Sequence, residues 1–149
     1  MPQHFEKQFV PFTPRQMFDL VAAIENYPSF LPWCLQAVVS ERTETSAKAV
    51  LTVGARAFRE RFTSFVTFDA PRTIKVRYGD GPLSHLENSW IFHEAEGGCV
   101  IEFFVDFHFR SRLLGSMMDL FFDKAFKKIV ESFKKKAEEL YGKEGRSDA

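Results

Sequence analysis

The stretch Cys99-Val-Ile-Glu-Phe-Phe-Val-Asp-Phe-His-Phe-Arg110 decides the fold. Its side chains fall into two sets with a period of two. Cys99, Ile101, Phe103, Val105, Phe107 and Phe109 form one set; Val100, Glu102, Phe104, Asp106, His108 and Arg110 form the other. That alternation marks a strand with one face on a core and one toward water. One solvated face is the habit of antiparallel sheets, since parallel ones are covered on both sides.

Outward from this strand the same period recurs. Phe58 to Asp69 sets Phe62, Val66 and Phe68 against Arg59, Arg61, Thr63 and Thr67. Shorter strands are expected near Leu35–Arg42, Lys48–Val53, Thr73–Tyr78 and Leu86–Glu94, with a first one from His4 to Val10. Turns fit between them at Thr45-Ser46, Ala70-Pro71, Gly79-Asp80-Gly81-Pro82 and Gly97-Gly98.

Two helical regions flank the strands. Thr13-Pro14-Arg15-Gln16 reads as a helix start, with Thr13 as cap, Pro14 at the first position and Gln16 closing a capping box. This helix is expected to end near Glu25, before Pro28 and Pro32 limit the next segment to a short helix or turn. From about Arg112 to Tyr141 the period is helical. Leu114, Met118, Phe121, Phe122, Ala125, Phe126, Ile129, Phe133, Ala137 and Leu140 share one broad face. One continuous helix of that extent would be about 45 Å long, enough to cross a sheet. The expected fold is α+β, a curved antiparallel sheet of about seven strands round a long C-terminal helix. Residues 1–142 read as one domain and 143–149 as a disordered tail.

Composition bounds the function. The chain has 149 residues, 20 basic against 20 acidic, and a net charge of zero, which argues against a protein devoted to gripping nucleic-acid phosphates. Hydrophobic residues make up 45% and charged ones 27%, so the bulk of the chain is globular rather than disordered. Cys34 and Cys99 form no CxxC pair and read as buried thiols. The opening residues contain no apolar leader, and no run of about 18 apolar residues occurs. The expected location is therefore cytoplasmic, including the inner face of a membrane.

Enzyme chemistry finds little support. His4, His85, His93 and His108 lie on separate segments without metal-ligand spacing, and neither a phosphate loop nor a nucleophile elbow is present. No catalytic residue, metal or cofactor is expected. The six lysines between Lys124 and Lys136 suit either a solvated helix face or attraction to anionic lipid.

The unusual count is 18 Phe. A sheet curled on a helix leaves a gap that Phe62, Trp90, Phe92, Phe103, Phe107, Met117, Met118, Phe121 and Phe122 would surround. These residues either fill the core or line an apolar pocket of a few hundred cubic ångströms. Composition does not separate the two.

Several segments together resemble a known family. Tyr27-Pro-Ser-Phe-Leu-Pro-Trp-Cys34, preceded by Phe18-Asp-Leu-Val-Ala-Ala-Ile-Glu25, is similar to the signature of the coenzyme-Q-binding START-like proteins. Gly81-Pro-Leu-Ser-His-Leu-Glu-Asn-Ser-Trp-Ile-Phe92 and Val105-Asp-Phe-His-Phe-Arg-Ser-Arg-Leu-Leu114 resemble its later blocks. Leu83 departs from it, standing where an aromatic follows Gly-Pro. The resemblance implies the helix-grip fold of the START and Bet v 1-like proteins. It also implies a tunnel for ubiquinone or a related polyprenyl quinone and a non-enzymatic role in respiration, with quinone-biosynthesis or respiratory proteins as partners. Trp33, Tyr78 and Trp90 are then the donors available to quinone carbonyls. Leu31-Pro32-Trp33 and Leu113 to Met118, Leu114 included, would flank the mouth and touch a bilayer. Relatives with the same look imply two alternatives, a toxin-like block of ribosomal subunit joining and a polyketide cyclase.

Overall fold

The computed structural model describes residues 3–55 and 58–142, and the tail expected from residue 143 lies outside the described residues. The chain begins with strand β1 (Gln3–Val10), helix α1 (Pro14–Ala22) and a 3₁₀ segment (Ile24–Ser29). Six strands follow: β2 (Cys34–Ser40), β3 (Ser46–Ala55), β4 (Phe58–Asp69), β5 (Thr73–Asp80), β6 (Leu83–Ala95) and β7 (Gly98–Phe109). Two helices close the domain, α2 (Arg112–Lys127) and α3 (Ile129–Tyr141).

All seven strands belong to one antiparallel sheet in the order β1-β7-β6-β5-β4-β3-β2. Successive strands from β2 to β7 are hairpin neighbours, and only β1 pairs out of sequence, against β7. The α1 and 3₁₀ segment therefore carries the chain from one sheet edge to the other. The register holds the alternation read from β7: Phe103 faces Trp90 and Val105 faces Asn88 on the covered side, while Phe104 faces Ser89 and Phe5 on the outer side. Phe103 and Ile101 are fully buried, and Phe5 is exposed.

Local chemistry fixes the first helix. Thr13 Oγ1 accepts from the Gln16 N–H at 3.0 Å, and Gln16 Oε1 accepts from the Thr13 N–H at 2.9 Å, which is the expected capping box. The α-helix stops at Ala22, three residues earlier than expected. Pro28 lacks the N–H that a continuing helix would donate to Ile24, so the chain tightens into a 3₁₀ turn instead.

The long C-terminal helix is corrected to two. Lys128, with φ −112° and ψ 2°, separates α2 from α3. Its N–H bonds back three residues to Ala125 at 3.1 Å, and its carbonyl accepts from both the N–H and the hydroxyl of Ser132, each at 2.9 Å. A serine hydroxyl competing for the carbonyl four residues back is a known cause of helix bending. Neither Pro nor Gly marks the place, so hydrophobic periodicity runs through it unbroken. α3 buries Ile129, Val130, Phe133 and Ala137 against the sheet. Leu140, assigned to that face from the sequence, is 55% exposed, and the inward contact at this end of α3 falls to Tyr141, whose ring lies 6.0 Å from Phe12 and whose hydroxyl donates to the Gln16 carbonyl at 3.1 Å.

Candidate functional site

Between the covered face of the sheet and the helices lies a cavity of about 100 Å³. Leu51 and Val53 of β3, Phe62, Ser64 and Val66 of β4, and Leu86, Asn88 and Trp90 of β6 form its sheet wall with Phe103, Val105 and Phe107 of β7. Phe122 and Phe126 of α2 and Ile129 and Phe133 of α3 form the helical wall, and Tyr27, Leu31 and Trp33 close one side. Rings lock the two walls together. Trp90 stands 4.6 Å from Phe103 and 5.0 Å from Phe133, and Phe107 stands 5.2 Å from Phe122 and 5.3 Å from Phe126.

The expected volume of a few hundred cubic ångströms is therefore corrected downward. Cavities of about 150 Å³ hold a benzene, and ligand pockets usually span about 300–1,000 Å³. The aromatic side chains take most of the space that a sheet curled on two helices encloses.

Polar atoms on the lining are few. Ser64, 1% exposed, donates its hydroxyl to the Ala49 carbonyl at 3.3 Å. Asn88 donates through Nδ2 to the Phe104 carbonyl at 2.7 Å, which leaves the second amide hydrogen and Oδ1 of its four-site inventory. The Tyr27 hydroxyl donates to the Val21 carbonyl, and burial pushes its pKa well above the ordinary phenol range. No His, Asp, Glu, Lys, Arg or Cys occurs among the described lining residues. The lining can thus desolvate an apolar body and offer a few neutral hydrogen bonds, but it holds no acid–base pair.

Of the residues expected at the site, the structure brings together Leu31, Trp33, Phe62, Trp90, Phe103, Phe107 and Phe122. Three others lie elsewhere. Phe92 is buried against Phe18 and Trp90, one pleat beyond the cavity. Tyr78 turns its hydroxyl to the Leu83 N–H at 3.0 Å, holding the β5–β6 turn rather than facing the cavity. Phe121 packs edge-on to Phe122 at 4.8 Å on the flank of α2, because neighbouring helical positions are about 100° apart. The side chains of Leu114, Met117 and Met118 lie outside the described residues.

Sequence reasoning passed over Asn88, Ser64 and Tyr27. The signal was present for the first two: Ser64 stands in phase with Phe62 and Val66, and Asn88 with Leu86 and Trp90. A polar residue in the apolar phase of a strand is the informative exception. The histidines instead pair with carboxylates, His93 with Glu102 at 3.0 Å and His108 with Asp106 at 3.1 Å.

Comparison with known proteins places this geometry. The chain is 32% identical over 147 residues to the mitochondrial coenzyme Q-binding protein COQ10 homolog B of Xenopus laevis, covering 95% of this chain and 60% of that protein. It thus spans about 60% of that relative's length. It is 31% identical to the ribosome association toxin RatA of Pseudomonas aeruginosa, covering 95% of this chain and 100% of that one. In structure it is similar to the Zhui aromatase/cyclase of Streptomyces sp. R1128, with a TM-score of 0.79 at 14% identity over 91% of this chain and 93% of that one. That likeness fixes the fold as helix-grip, of the START and Bet v 1-like kind. The family model described as polyketide cyclase/dehydrase and lipid transport matches residues 10–134, and the chain belongs to that family.

Proposed function

We propose that this protein binds ubiquinone or a related polyprenyl quinone and carries it without chemical change. The observation that supports this most directly is the cavity lining: aromatic and aliphatic throughout, with Asn88, Trp33 and Trp90 as neutral groups for quinone carbonyls. Each CH₂ of an isoprenoid tail moved from water into such a lining contributes about 0.8 kcal/mol. Similarity to a coenzyme Q-binding protein points the same way. Loading a quinone requires the cavity to enlarge, and the wall we expect to move is α2, which the break at Lys128 separates from α3 and which holds the sheet through Phe122 and Phe126. Leu113 and Leu120, each 77% exposed on α2, suit a transient contact with the membrane from which cargo is taken. Among the described residues no helix is long and apolar enough to cross a membrane.

A cyclase would need inward acid–base groups, which the described lining lacks. The second reading is a block of ribosomal subunit association, favoured by the full-length match to a ribosome association toxin.

Organic extraction of the purified protein, followed by lipid mass spectrometry, tests the first reading. Near-stoichiometric ubiquinone is expected, and Val105→Phe, which fills the cavity from β7, should abolish it while circular dichroism stays unchanged. An empty extract with no uptake of added ubiquinone would sink the carrier reading. Co-sedimentation with ribosomal subunits would then raise the second.

A further inference from the structure

The net charge of zero conceals a division of charge across the outer face of the sheet. Register places Lys48 of β3 directly opposite Phe65 of β4, and Phe65 opposite Arg77 of β5. Arg61, four residues before Phe65 on the same strand, and Lys75, two residues before Arg77, lie on this same face. The acidic counterparts sit on the adjoining strands, with Glu87 opposite Arg77 and Asp106 opposite Glu87. The β3–β5 half therefore gathers four cations, while in the other half Glu87, Glu102 and Asp106 stand among Lys7, His85, His93 and His108. Lys48 reaches Glu41 at 4.0 Å, while among the described residues Arg61, Lys75 and Arg77 have no carboxylate within ion-pair distance.

At the centre of the basic half is an aromatic ring held in place. Phe65 is 37% exposed, and the Arg77 guanidinium lies 5.5 Å from its centroid. The ring leans over Gly79, where an added Cβ would come within 2.7 Å of its Cε2. Thr63 and Thr67 flank it on the same face. Strands about 4.8 Å apart put Lys48 and Arg77 about 10 Å from one another across the ring. A ring on a sheet surface, set among cations and hydroxyls, matches what a flexible polyanion of stackable bases needs: phosphate neutralisation, a π-face, and partners for 2′-hydroxyls. A lipid surface asks instead for apolar groups that insert together: Leu113 and Leu120 on α2 are the most exposed, and on the outer sheet face Phe5, Phe9 and Val38 lie on β1 and β2, outside β3–β5.

We propose that the outer face of β3–β5 binds single-stranded RNA, with Phe65 as the stacking platform and Lys48, Arg61, Lys75 and Arg77 as phosphate contacts. This is independent of the cavity and of its cargo.

Fluorescence anisotropy with a labelled oligouridylate tests it. Binding is expected to weaken linearly on a log–log plot against salt. Arg61→Glu with Arg77→Glu should lower affinity by at least about tenfold and flatten the slope. Phe65→Ala should lower affinity about five- to a hundredfold with the slope unchanged, since stacking releases no counterions. Lys124→Glu with Lys127→Glu on α2 should behave as wild type. All these positions are exposed, so circular dichroism will report intact folding. Absence of binding, or equal loss in the α2 variant, overturns the proposal. So does self-association on gel filtration that the Arg61/Arg77 reversal abolishes, which would make the face a contact between copies. Preference for anionic vesicles over RNA through these residues overturns it as well.

Discussion

Asn88 is the single side chain on which the proposed quinone binding is tested most directly. It stands opposite Val105 on the covered face, with one amide hydrogen committed to the Phe104 carbonyl and the rest of the group facing an apolar lining. A neutral hydrogen bond is worth about 0.5–1.5 kcal/mol net, so Asn88→Leu should weaken a short-tailed ubiquinone analogue by about two- to tenfold. It should leave a polyprenyl chain without the quinone head unaffected. Titration of both ligands by tryptophan quenching, through Trp33 and Trp90, separates the outcomes; equal weakening of both would assign Asn88 to packing alone. Gly81 serves the same wall differently. Its φ of +143° and the 2.7 Å between an added Cβ and the Cβ of Phe62 allow only glycine at the turn behind that ring.

Among the elements, α2 and α3 share a periodicity but not a role. α3 is anchored by four buried side chains, and Phe133 alone meets Tyr27, Phe30 and Trp90 ring to ring at 5.0–5.3 Å. α2 holds Phe122 and Phe126 inward yet leaves Leu113 and Leu120 in solvent. Local opening follows buried apolar contact, so α2 should open without the rest of the domain. Hydrogen exchange read by mass spectrometry is expected to show α2 amides from residue 116 to 126 exchanging well before those of 130 to 140. Added ubiquinone should slow α2 selectively. Equal protection of both helices would remove α2 as the movable wall.

For the molecule as a whole, the buried thiols set the alkaline limit. Burial pushes the Cys34 thiol up to about 11 and the Cys99 thiol up to about 12. An unfolded thiol titrates near about 8.5, so below that pH both states hold their protons and the fold keeps its full stability. As pH rises above it, the unfolded chain releases protons that the fold retains. Stability then falls, by up to about 1.4 kcal/mol per pH unit per thiol, until the folded thiols titrate. Tyr27 and Tyr141, also raised by burial, add a decline in the same direction at higher pH. Urea midpoints between pH 7.5 and 10.5 should drop steeply in wild type and about half as steeply when Cys99 alone becomes Ala. Parallel curves for the two proteins would mean that other groups govern the limit.

The sequence by itself determined the strands, the first helix and the inward set of rings, because period-two and period-3.6 burial are local consequences of backbone geometry. Thr13 and Gln16 announced their capping box for the same reason. The break at Lys128 was silent, since it rests on a serine hydroxyl and a carbonyl rather than on a helix breaker. Tertiary structure alone decided which rings face the cavity. Phe92 shares its strand phase with Trp90 yet lies a pleat away, and Phe121, next to Phe122 on one broad helix face, lies a helical step away. It also decided the cavity's size, which depends on how far rings from facing walls interpenetrate. The outer face makes the same point for charge. Twenty cations and twenty anions sum to zero along the chain, but strand order gathers Lys48, Arg61, Lys75 and Arg77 on one side and Glu87 and Asp106 on the other. A sum over sequence carries no positions, and the field a partner meets depends on them.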